Sequence, residues 1–190
     1  MTHLNTETLR PVDIYGPEFD PTFHVGGGYR LLYVATADGV VAGTAEASII
    51  GAGIGSLVIP ADALIPGRTI RACLAGKLTS PALVGSFALS AKLGAATLVD
   101  AASLDVGLSR ITSWSAELVM VCRKSGPNGT IGRTFLFQST TALGAYLSPQ
   151  TFFTTAGVDT TQEATLGFTW QWSGSGGTAT CQTAIIEQLG

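Results

Sequence analysis

The chain has 190 residues, which is enough for one hydrophobic core with an appended arm. Charged residues make up 12 % of it, about half the ~25 % of an average soluble domain, and the net charge is −3. Binding to nucleic acid by counterion release needs clustered Lys and Arg, and a membrane-spanning helix needs roughly 20 consecutive apolar residues; the sequence has neither.

Residues 1–28 differ from the rest. Pro11, Pro17 and Pro21 punctuate them, and Glu7, Asp13, Glu18 and Asp20 make them acidic. Proline fixes φ and removes a donor, so an extended arm is expected rather than a helix. Ile14, Tyr15, Phe19 and Phe23 are its candidate docking side chains, with Gly26-Gly27-Gly28 as a hinge. Met1 to Arg10 lack the basic start and apolar centre of a signal peptide, so synthesis and retention in a cytoplasm until assembly are expected.

Residues 29–65 are apolar and Gly-rich, with strand-like runs at 31–37 and 55–59 and weak periodicity between them. This segment is either part of the following domain or a separate small β segment. From residue 68 onward, apolar and polar residues alternate with the period of half-buried strands. Ile70, Ala72, Leu74, Gly76 and Leu78 share one face of a first strand; Phe87, Leu89, Ala91 and Leu93 share one face of the next. Residues 96–108 are the one stretch in this half that tempts a helix assignment, though Gly107 weakens it. In residues 113–124 Trp114, Ala116, Leu118, Met120 and Cys122 oppose a second face that includes Val119 and Val121. Two apolar faces predict a strand central in its sheet. Ser125-Gly126-Pro127-Asn128-Gly129 then predicts a turn, returned by a strand with Ile131, Arg133, Phe135 and Phe137 on one face. A second hairpin is expected from residues 164–172, the glycine-rich turn 173–177 and residues 178–189, with Cys181, Thr183, Ile185 and Leu189 on one face of its last strand. The fold class is therefore all-β: a jelly roll or β-sandwich of about eight to ten antiparallel strands with an extended N-terminal arm, residues 29–190 forming the β domain.

Candidate chemistry is sparse. Gly51-Ala52-Gly53-Ile54-Gly55 imitates a phosphate loop, but a strand ended by Pro60 follows where a helix must begin. His3 and His24 both lie in the arm, so no Ser-His or Cys-His pair forms. Asp100 with Asp105, and Asp159 with Glu163, are the nearest carboxylate pairs and read as surface and turn residues in loops; Asp159-Thr160-Thr161 fits a side-chain-to-backbone turn. Cys73, Cys122 and Cys181 are widely spaced and read as buried free thiols. No catalytic residue, cofactor or metal site is expected. Trp114, Phe168, Trp170 and Trp172 are assigned to the core or to a subunit interface in preference to a sugar-stacking platform, while Tyr146 is the better candidate for an exposed ligand contact. After Arg133 there is no Lys or Arg, and the only acids are Asp159, Glu163 and Glu187. A surface so poor in charge suggests cover by protein.

The order of segments resembles a family of tailed-bacteriophage virion surface proteins with a jelly-roll domain. The resemblance rests on Pro66-Gly67-Arg68-Thr69-Ile70-Arg71, on Phe87-Ala88-Leu89-Ser90-Ala91-Lys92-Leu93-Gly94 with Ala96-Thr97-Leu98, and on Ser113-Trp114-Ser115-Ala116-Glu117-Leu118. It continues through Ser125-Gly126-Pro127-Asn128-Gly129-Thr130, Val158-Asp159-Thr160-Thr161 and the closing Ala184-Ile185-Ile186-Glu187-Gln188-Leu189-Gly190. It spans residues 66–190 and consists of turn-and-strand patterns, not catalytic signatures. It implies a non-enzymatic capsid decoration or cement protein on the virion surface, homotrimeric and partnered by the major capsid protein, with no nucleic acid and no membrane. The alternative it implies is a head- or tail-fibre tip that binds a host surface glycan through loops such as 142–149.

Overall fold

In a computed structural model the described residues are 30–79, 86–105, 111–141 and 146–189, with backbone only at 101–105, 111–112, 141 and 146–153. The arm, with Ile14, Tyr15, Phe19 and Phe23, lies outside them. Thirteen strands and no helix occur among the described residues. Five are short: β1 (Arg30–Ala35), β2 (Gly39–Val41), β3 (Ala47–Ser48), β4 (Gly53–Gly55) and β5 (Val58–Ile59). Eight are long: β6 (Thr69–Thr79), β7 (Ser86–Leu93), β8 (Ala96–Asp105), β9 (Ile111–Lys124), β10 (Gly129–Thr141), β11 (Tyr146–Val158), β12 (Ala164–Trp172) and β13 (Thr178–Leu189). The stretch that tempted a helix assignment is β8.

All pairings are antiparallel. One sheet, sheet A, runs β11-β10-β9-β6-β13-β1-β4, with β2 also on β13; the other, sheet B, runs β3-β12-β7-β8, with β5 also on β12. The long strands nest as in a jelly roll. The first pairs with the last (β6 with β13), the second with the next to last (β7 with β12), and β9 with β10, while β8 and β11 touch where the two sheets meet. Residues 30–65 add strands to both sheets, through β13 and through β12.

Alternation places the expected faces inside. Ile70, Ala72, Leu74 and Leu78 of β6, Phe87, Leu89, Ala91 and Leu93 of β7, and Trp114 to Cys122 at alternate positions of β9 are all buried. β9 lies between β6 and β10, as its two apolar faces predict. At the β9–β10 turn Gly126 takes a φ of 107°, open to glycine without strain, and the N–H of Gly129 donates to the Gly126 carbonyl at 3.0 Å. Thr160 latches this turn, its hydroxyl accepting from the Gly126 N–H at 2.8 Å.

Two expectations fail at the C-terminal end. β12 and β13 do not form a hairpin: β12 belongs to sheet B and β13 to sheet A, so residues 173–177 cross from one layer to the other. A glycine-rich turn signals reversal, not which partner the returning strand takes. The face assigned to β13 also changes part-way. Its pairing with β6 slips between Cys181 and Thr183, and the buried set is Ala179 and Cys181, then Ala184 and Ile186. One extra residue inverts the alternation beyond it. Thus Thr183 is exposed, Ile185 is only half-buried, and both leave the core set. Gly76 faces the slip, where a Cβ would fall 1.8 Å from the Thr180 carbonyl oxygen.

The layers are joined by aromatic rings. Phe87 of β7 stacks on Trp170 of β12 at 4.1 Å between centroids, and Trp170 meets Trp114 of β9 at 5.3 Å. Phe137 of β10 lies 5.5 Å from Phe87. Trp170→Ala is expected to cost about 3–5 kcal/mol by emptying this junction, read as a lower midpoint in urea unfolding. Gly76→Ala is expected to be destabilising as well, because the β13 backbone must retreat from the new methyl; an unchanged unfolding midpoint would contradict the close approach.

Candidate functional site

Among the described residues the side chains that could carry chemistry are dispersed. Trp114, Phe168, Trp170 and Trp172 are at most 3 % exposed and lie inside a single chain. Asp100 and Asp105 stand on β8 rather than in a loop. Asp159 closes the expected turn: its Oδ1 accepts from the Thr161 N–H at 2.9 Å and from the Thr161 hydroxyl at 2.6 Å. The 51–55 glycine run becomes edge strand β4, and β5 follows. Tyr146 begins β11, its side chain outside the described set. Among the described residues no group of three or more His, Cys, Asp or Glu could hold a metal ion, and no helix is long and apolar enough to cross a membrane.

The three thiols are free. Burial pushes the Cys181 thiol up to about 11 and raises Cys122 and Cys73 as well. The Cys122 thiol donates to the Leu64 carbonyl at 3.2 Å. These are packing groups kept protonated by their surroundings, not poised nucleophiles.

The two sheets present different outward faces. That of sheet B is small and polar, with Ser86, Ser90, Lys92, Thr165, Thr169 and Gln171. Glu46 reaches over it and accepts from Lys92 Nζ and from the Thr169 hydroxyl, both at 2.5 Å. These two bonds hold its carboxyl below the usual carboxylate range.

The outward face of sheet A is not built like a solvated surface. At its centre Arg71 Nε donates to Glu117 at 2.8 Å, and Arg71 Nη1 lies 3.6 Å from Glu187. Glu187 is 5 % exposed although it points away from the core. Around these charges the register brings Val34, Ile185 and Cys73 into one row, with Ile54 at its end and Val119 beside Arg71. Further along, Val119, Val121, Thr134 and Thr155 floor a depression of about 370 Å³ walled by Arg123. Arg123 lies over Gly132, where a Cβ would come within 2.4 Å of its Nε. A partly apolar face with an arginine at its centre is the composition of protein interfaces. Arg71 and Glu117 are outward in the sequence pattern, but Glu187 joins them only through the β13 slip, which no local signal marks.

The flanks of the sandwich also differ. On one side lie β11, 13 residues long, and β8, 10 residues long; among the described residues β11 pairs with β10 and β8 with β7, and the two strands touch each other. On the other side the edges are β4, β3 and β5, none longer than three residues.

No family model and no curated protein matches the chain. Among solved structures it is similar to the CBM2 module of the evolved Dit of Lactobacillus casei BL23 phage J-1, at 10 % identity and a TM-score of 0.41, over 86 % of this chain and 97 % of that one.

The thiols give a test of the core. In the folded protein at pH 8, Cys122 and Cys181 are expected to resist a thiol reagent until denaturant is added, with half-buried Cys73 the first to react. A Cys181 thiol that holds its proton to about pH 11 when folded, against about 9 when unfolded, contributes stability below pH 9 that is lost as pH rises towards 11. Melting points measured from pH 8 to 11 should fall, and fall less in Cys181→Ala.

Proposed function

We propose that this chain is a non-enzymatic structural protein of a tailed-phage virion. In this reading it decorates the capsid surface as a homotrimer and clamps neighbouring capsomers. The observation that carries it is the outward face of sheet A, where aliphatic side chains surround a nearly enclosed carboxylate. Such a face is suited to contact with protein, and the absence of any basic residue after Arg133 extends the same character over the C-terminal third. The resemblance of residues 66–190 to virion surface proteins supports the choice of particle.

The acidic arm fits the same role. An extended segment with Tyr15, Phe19 and Phe23 can reach along a neighbouring capsid subunit and bury its rings there. A fibre tip that binds glycan is the competing role. Every described aromatic side chain that could stack on a sugar, from Tyr33 to Trp172, is inside the core, which favours the decoration role.

The test uses the purified full chain and emptied, expanded capsids from the particle that carries it. The protein is expected to bind them and raise the temperature at which they rupture. Deleting residues 1–28 is expected to leave a folded assembly that no longer docks. Labelling of bacterial cells with no binding to capsids would transfer the assignment to the fibre tip.

A further inference from the structure

We propose that the root of the N-terminal arm folds back over the outward face of sheet A of its own chain and seats Phe23 in the depression beside Arg123. This rests on the docking role proposed above and divides the arm in two: an anchored root, and a distal part with Ile14, Tyr15 and Phe19 that reaches the partner.

Register fixes where the arm sets out. Arg30 lies in one row across the sheet with Gln188, Ile70, Met120 and Arg133. The depression flanks that same row, with Val119 and Val121 on either side of Met120 and Gly132 and Thr134 on either side of Arg133. Three strand spacings separate β1 from β9 and four separate it from β10, about 14–19 Å. The seven residues of chain from Phe23 to Arg30, when extended, span about 23–25 Å. That is enough to cross the strands and rise onto the face. Tyr29 is too near to Arg30 to arrive, and Phe19 leaves four further residues to be ordered. Gly26-Gly27-Gly28 lie within the span and let the chain turn from the line of β1 to a path across the sheet.

The depression suits a ring. Its floor is made of short side chains, and Gly132 has none, so Arg123 lies over the backbone there. A guanidinium set against an aromatic face is a favourable pairing. Charge agrees with shape. Arg123 and Lys124 are exposed and form no ion pair among the described residues. Residues 1–29 carry the whole net charge of −3, four acids against Arg10, with Asp20 three residues from Phe23; residues 30–190 are balanced. An acidic root therefore meets the basic end of the face. Once anchored, the distal arm has fewer orientations to lose when it binds.

The experiment replaces Phe23 in the full chain with the photocrosslinker p-benzoylphenylalanine and maps the products by peptide mass, with circular dichroism as the check of folding. Irradiation is expected to join position 23 to residues 119–134 of the same chain, so the product runs as a single copy in a denaturing gel. Arg123→Glu is expected to lower the yield at least fivefold. Lys77→Glu, exposed towards the far end of β6, is expected to leave it unchanged. Should Arg123→Glu not fold, Arg123→Gln takes its place with the same expectation. Products scattered over the surface, products joined to a second copy, or a yield untouched by the Arg123 variants would each overturn the assignment. Capsid binding, measured on the same samples, separates the two ideas. A chain that binds capsids while position 23 maps elsewhere removes the seat and keeps the role; a mapped seat in a chain that ignores capsids does the reverse.

Discussion

The stack of Phe87, Trp170 and Trp114 between the two sheets is the contact on which the remaining geometry depends. Three of its partners, Phe87, Trp170 and Trp172, come from sheet B, and two, Trp114 and Phe137, from sheet A. Large rings bury much area at low entropy cost and fix the separation and angle of the layers they join. With that separation set, every strand long enough to alternate has one face committed to the interior. Its other face is then free to vary, and the difference between the two outward faces is what any account of function must use.

Catalysis in a β-sandwich of this size generally needs a cleft in which several ionisable groups converge. Among the described residues Arg71 reaches both Glu117 and Glu187 on one sheet, and Lys92 reaches Glu46 on the other. The Arg71–Glu117 and Lys92–Glu46 pairs are partly wet, so each adds little to stability. They differ in setting: the Arg71 group sits amid aliphatic side chains, whereas the Lys92 group lies among serines and threonines.

Much of this was legible in the amino-acid order, and the reasons it stopped being legible are local. β6, β7 and β9 alternate without interruption, so Ile70, Phe87 and Trp114 could each be assigned inward from spacing alone. β13 breaks the pattern with a single-residue slip, and small residues on both sides conceal it. The crossing from β12 to β13 was hidden for another reason: residues 173–177 have a turn's composition whichever sheet receives the next strand. The strands of residues 30–65 are two to six residues long, too short for periodicity to register. The shortage of charge after Arg133 was visible at once, but that β11 is an edge strand is a fact of topology and appears only when the sheet order is known.

β13 is the last of the thirteen described strands, yet it lies between β6 on one side and β1 and β2 on the other. Without it sheet A falls into separate halves, and β1 and β2 lose the long strand they pair with. Joining them requires contacts across more than a hundred residues of chain between β1 and β13, a topology that folds slowly. Severing the chain between β12 and β13 would therefore divide sheet A in two, so damage at this one strand is felt by every other strand of that layer.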